Sequence, residues 1–133
     1  FLPEASLGII PDTGAVRLPR ILPPAVATEV LIGGRRLDAW EAERWGLVNR
    51  VVPVADLRAA ALELADRISA SAPLAVEAVL AIDRTTRHLS LEEAFAHLRS
   101  GDLEAYERML ASEDAQEGLQ AFVEKRDPHW QGS

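Results

Sequence analysis

The chain has no cysteine. Its absence removes disulfides, thiolate nucleophiles and cysteine-bound zinc together, and agrees with an intracellular, cytoplasmic setting. Basic residues are short: 14 Lys and Arg stand against 21 Asp and Glu, a formal net charge of −7. Nucleic-acid binding needs clustered cations along phosphates, so no nucleic-acid partner is expected, although one small basic pocket for a phosphorylated group is still allowed. No apolar run approaches the roughly 20 residues of a membrane span, so no membrane partner is expected either. No secretory or transit signal is present. Phe1 stands inside an apolar stretch, from which further sequence before it is expected. The chain also lacks a G-x-S-x-G elbow, a P-loop and a G-x-G-x-x-G turn. His88, His97 and His129 lack metal-ligand spacing, so no metal is expected.

What is present is an ordinary globular composition, 48% hydrophobic and 26% charged, in 133 residues. That is enough for one core. Five prolines among residues 3–24 permit only short elements at the start: a strand-like opening, a turn and one or two brief helices. Residues 24–32, PAVATEVLI, read as a helix ended by Gly33 and Gly34, with solvated arginines after it. Asp38 and Glu41 match a capping box for a helix closing at Gly46. LVNRVV, residues 47–52, is the best strand candidate. Beyond Pro53 the pattern turns helical. Leu57, Ala61, Leu64 and Ile68 recur on one stripe, and Pro73 opens a second helix carrying Leu74, Ala78 and Ile82. Ser90 and Glu93 form another capping box, and Gly101 interrupts that helix. Ser112, Glu113 and Asp114 open a last helix that carries Leu119, Phe122 and Val123 inward and stops before Pro128. The domain reading is therefore 1–53, a short mixed part, and 54–133, a helical array. Its single apolar faces must pack on something, in part another subunit.

The most informative stretch for chemistry is FLPEASLGIIPDTG. Glu4 is the only charge among the first eleven residues. A carboxyl in apolar surroundings is harder to ionise and can then give and accept protons near neutrality. Taken alone, a glutamate at such a place more often points into solvent. Asp12 in Pro-Asp-Thr-Gly reads as a helix cap, with Thr13 as the alternative, or as a second polar group facing the pocket of Glu4. Phe122, Lys125 and Arg126 at the last helix end read as charges complementing the dipole, or as an aromatic and a cation for an adenine and a phosphate. Trp40, Trp45 and Trp130 read as core or interface residues.

Three motifs then fall in a recognisable order: PEASLGIIPDTGAVRLPR (3–20), RRLDAWEAERWGLVNRVVP (35–53) and SEDAQEGLQAFVEKRDP (112–128). Together they resemble the crotonase (enoyl-CoA hydratase/isomerase) superfamily over almost the whole chain. PDTG, RTTRHLSLEEAF and EKRDPHWQG further resemble a branch acting on carnitine-type acyl thioesters. The resemblance implies the C-terminal part of an α/β crotonase fold, with short strands leading into a mostly α-helical oligomerisation region. It implies an enzyme that hydrates a 2-enoyl-CoA or dehydrates a 3-hydroxyacyl-CoA. No cofactor would be required beyond the coenzyme A carried by the substrate. Glu4 would be one of two catalytic glutamates, Pro3, Leu7 and Asp12 would line the acyl pocket, and Phe122 and Lys125 would meet the coenzyme. A homo-trimer or hexamer is implied, with residues 54–133 making its contacts. The other glutamate and the backbone donors of the oxyanion hole match family positions before Phe1, so the chain by itself is expected to be inactive. Asp12 stands where many hydratases carry Gly, and the PDTGAVRLPR turn runs one residue shorter than the family's.

Overall fold

A computed structural model describes residues 1–133. They divide into two compact units, Phe1–Leu57 and Arg58–Ser133. Every regular element is helical.

In the first unit, prolines place the helix starts. Pro11 precedes α1 (Asp12–Arg17). Pro24 takes the first position of α2 (Pro24–Leu31), where its missing N–H costs nothing. The capping box opens α3 (Ala39–Arg44): Glu41 N–H donates to Asp38 Oδ1 at 2.8 Å, and Asp38 N–H donates back to Glu41 Oε2 at 3.3 Å. Leu22, Val26 and Ala27 form the core, with Leu18, Leu37 and Trp45 against it. Arg35 is not a solvated arginine, as its position after a helix stop suggested. Its guanidinium pairs with Glu29 of α2 and Glu41 of α3 and ties the two helices.

The expected strands are absent. Residues 1–7 open with a 3-10 turn over Glu4–Leu7. After α3 the N–H groups of Leu47 and Val48 both donate to the Ala42 carbonyl, at 2.8 and 3.3 Å. Val51 N–H donates to Glu43 Oε1 at 2.9 Å. The β-branched run LVNRVV thus spends its donors on the end of α3. A strand needs a neighbour to complete its ladder, and no second extended segment is there to pair with it.

The second unit holds five helices: α4 (Leu57–Ser69, beginning at the boundary), α5 (Pro73–Thr86), α6 (Leu91–Arg99), α7 (Glu104–Ala111) and α8 (Glu113–Glu124). Ser90 and Glu93 form the expected capping box on α6. The helix ends at Arg99 before Gly101, whose φ of 79° favours glycine. Helix α5 packs chiefly on α7, and α6 and α8 join them. The buried apolar residues are Ala78 on α5, Ala121 on α8 and Leu103, which stands just before α7, so the only apolar side chains that the helices themselves bury are alanines.

Candidate functional site

The Glu4 side chain is positioned by a turn pinned at both ends. Pro3 offers its carbonyl to Ser6 N–H (3.0 Å) and to the Ser6 hydroxyl (2.7 Å). At the far end Gly8 has φ 78°, and Ile9 N–H reaches the Glu4 carbonyl at 3.1 Å. A glycine is required there because L side chains clash in the left-handed region. The turn leaves Glu4 half-buried, and its Oε2 atom is buried with no hydrogen-bond partner. Buried polar atoms are nearly always paired, so an orphan carboxylate oxygen marks a group whose partner is a ligand, a water or a reacting atom.

The other residues singled out near Glu4 lie in different surroundings. Pro3 is half-buried and lines a cleft of about 340 Å3 with Phe1, Leu2, Ser6, Gly34 and Arg36. Leu7 is 69% exposed. Asp12 is exposed at the first position of α1, and neither Asp12 nor Thr13 caps the helix, because Pro11 holds the cap position without a side-chain bond. Thr13 lines an apolar cleft of about 450 Å3 with Phe1, Leu2, Leu18, Leu22 and Leu37, and Glu4 is not part of that lining. Gly14 marks the closest approach in the turn: a Cβ there would stand 2.7 Å from Leu2 Cδ1 and 3.3 Å from Pro11 Cβ.

In the second unit, Leu119, Phe122 and Val123 do not point inward. They are 73%, 84% and 78% exposed. The face of α8 that packs is the one carrying Asp114, Gly118 and Ala121, because the chain after the helix folds back and covers it. Trp130 donates its indole N–H to the Ala70 carbonyl at 2.8 Å. Its ring lies 3.3 Å from where a Cβ on Gly118 would stand. Asp114, read from sequence as a dipole partner, is only 2% exposed, and its oxygens accept from Gln131 and Gly132 N–H at 2.7 and 2.9 Å. Arg126 donates to both oxygens of Glu117 at 2.6 and 2.8 Å and to Glu124 at 2.6 Å. With His129 N–H also donating to Glu117, the Arg126 hydrogen bonds hold that carboxyl down at about 2. The same contacts push Arg126 upward.

Sequence reasoning missed this clasp, whose only signal was the placing of Glu117-Gly118 one helix span before Glu124-Lys125-Arg126. Phe122 and Lys125 stand exposed at the end of α8. His, Asp and Glu side chains do not gather into a group of three able to hold a metal ion. No helix is long and apolar enough to cross a membrane.

Against known proteins, the family model described as enoyl-CoA hydratase/isomerase matches residues 1–133. A carnitinyl-CoA dehydratase of Salmonella arizonae is 56% identical over 132 residues, covering 98% of this chain and 51% of the relative. One from Proteus mirabilis is 57% identical with the same coverage. Among solved structures, an enoyl-CoA hydratase from Bacillus anthracis superposes with a TM-score of 0.85 at 37% identity, covering 98% of this chain and 49% of that one. The chain spans about half the length of the curated relatives it matches.

Proposed function

The chain belongs to the enoyl-CoA hydratase/isomerase family, and from that membership we propose that the protein adds water to a 2-enoyl-CoA, or removes it from a 3-hydroxyacyl-CoA. The observation that carries the reading is the orphan, buried Oε2 of Glu4. Glu4 is one of two carboxylates that hold the water and move a proton to or from the α-carbon. Addition forms a C–O bond at the β-carbon and places a proton on the α-carbon, and dehydration reverses both. Backbone donors polarising the thioester carbonyl lower the barrier by stabilising the enolate charge. Those donors and the second carboxylate lie outside residues 1–133, so this chain alone does not turn over. Pro3, Leu7 and Asp12 line the acyl site, and Phe122 and Lys125 meet the adenine and phosphates of coenzyme A. The coenzyme is part of the substrate, and neither a metal nor a further cofactor takes part. The protein works in the cytoplasm as a homo-trimer or hexamer.

Within the 2-enoyl-CoA class, a carnitine-type acyl group is favoured by relatives named carnitinyl-CoA dehydratase at 56–57% identity. Such a group carries a fixed positive charge, which the exposed, unpaired carboxylate of Asp12 suits. A second reading follows from the family description itself, which covers isomerases. Glu4 would then move a proton between two carbons without adding water.

The test is Glu4→Gln in the whole protein, assayed for hydration of crotonyl-CoA and crotonobetainyl-CoA. Loss of kcat by roughly a hundredfold or more is expected for removing a proton-transfer group. Near-normal hydration would remove Glu4 from the mechanism. A panel of 2-enoyl and 3-enoyl thioesters separates hydratase from isomerase.

A further inference from the structure

At the end of α8 the backbone takes a conformation that lysine seldom adopts. Lys125 has φ 55° and ψ 42° and is the only non-glycine residue of the chain with positive φ. Helices commonly end this way, but on glycine, which has no Cβ to clash. The N–H of Arg126 donates to the Ala121 carbonyl at 3.1 Å and that of Lys125 to Phe122 at 3.3 Å, closing the turn. The Lys125 side chain is exposed and enters no ion pair. A lysine therefore occupies a glycine position and gains no partner within the chain. Strained residues of this kind collect where a side chain must be aimed.

The residues around it hold it there. Arg126, the next residue, is forked onto Glu117 and bonded to Glu124. Glu117 also takes His129 N–H at 2.8 Å, and Asp114 takes the next two N–H groups but one. Relaxing Lys125 to a right-handed conformation would pull Arg126 off Glu117. The Arg126 hydrogen bonds hold the Glu117 carboxyl well below the usual carboxylate range, so both partners are charged at neutral pH.

We propose that Glu117 and Arg126 are positioning residues: their ion pair locks Lys125 in the left-handed turn, so that its ammonium, one helix turn from Phe122, is presented to the phosphates of a coenzyme A thioester. This rests on the coenzyme reading of Phe122 and Lys125 given above, and the experiment separates the two.

In the whole protein, Glu117→Gln, Lys125→Gly and the double variant are assayed with crotonyl-CoA and with crotonyl-pantetheine, which lacks the phosphates and adenine. Glu117→Gln is expected to raise KM for the CoA thioester roughly tenfold with kcat within about twofold, and to leave KM for the pantetheine thioester alone. Lys125→Gly should raise the same KM while raising Tm, because the strain is gone. The double variant should lose no further affinity, since both changes act through one ammonium. If Glu117→Gln fails to fold, Arg126→Lys is read instead, because it keeps the charge but loses the fork. A Glu117→Gln effect equal on both thioesters, or none where Lys125→Gly has one, overturns the positioning role and leaves the coenzyme reading standing. An unchanged KM in Lys125→Gly overturns both.

Discussion

A glycine in the middle of a helix is ordinarily a weakness worth about 1 kcal/mol relative to alanine. Gly118 sits within α8, yet its missing side chain makes room for the Trp130 ring, which a Cβ would approach to 3.3 Å. That ring is not free to withdraw, because its indole N–H is bonded to the Ala70 carbonyl. Two effects of opposite sign therefore compete at one position, and they can be pulled apart. Gly118→Ala should be neutral or destabilising in the native protein. In a Trp130→Ala background the clash is gone, and the same change should stabilise by about 1 kcal/mol, the helix-propensity gain alone. A double-mutant cycle measured by urea unfolding reads the difference. Equal effects of Gly118→Ala in the two backgrounds would show that the ring and the glycine are not coupled.

The elements start where side chains cap them, and α6 shows how far the cap can be tested. Glu93 N–H donates to Ser90 Oγ at 3.3 Å, while Ser90 N–H and its hydroxyl donate to Glu93 Oε2 at 2.9 and 2.7 Å. The backbone N–H, then the hydroxyl, lower the Glu93 carboxyl below its ordinary value of 4.5. A carboxyl depressed in the folded state contributes stability above its unfolded value, and that contribution is lost as pH falls through the folded value. Ser90→Ala should cost about 1 kcal/mol at pH 7. The cost should begin to shrink as pH falls below about 4.5, the unfolded value, and go on shrinking until the capped carboxyl, held lower, has also taken up its proton. A cost independent of pH would mean that Glu93 does not take part. Both capping boxes, the Pro24 and Pro73 starts and the stop near Gly101 were legible because each is a local chemical signal within four residues. The strand expected at 47–52 failed because a strand is not local: its β-branched residues suit a ladder, but the partner is absent and α3 takes the donors instead. The inward face assigned to Leu119, Phe122 and Val123 failed for the same reason. Hydrophobic spacing shows that these residues share a face, and it cannot show that the returning tail has already covered the opposite one. Glu4 was legible as a lone charge in an apolar run, whereas its unpartnered oxygen emerges only from the folded turn.

At the scale of the whole molecule, the helical unit leaves more apolar side chain uncovered than its own small-residue core conceals. Helix α4 has no buried residue at all, and Ile68 on α4 and Val79 and Leu80 on α5 are exposed. They line a groove of about 450 Å3 with Arg67, Ser71, Ala75 and Val76. Contiguous apolar surface of this kind costs roughly 25 cal/mol per Å2 while wet, and on soluble proteins it marks contact surfaces. Another copy of the protein, as in the proposed trimer or hexamer, is the occupant to test. Val79→Glu puts a charge on the groove wall at a side chain that is exposed within the chain and leaves the buried Ala78 untouched, so helix content by circular dichroism should hold. A buried, unpaired carboxylate is strongly unfavourable at an interface, so the assembly should fall to a lower sedimentation coefficient. Gln116→Glu, an exposed change on α8 that adds the same charge, controls for simple repulsion. If Val79→Glu sediments like the parent while the control does too, the groove lies outside the subunit contacts, and the helices associate through another face or not at all.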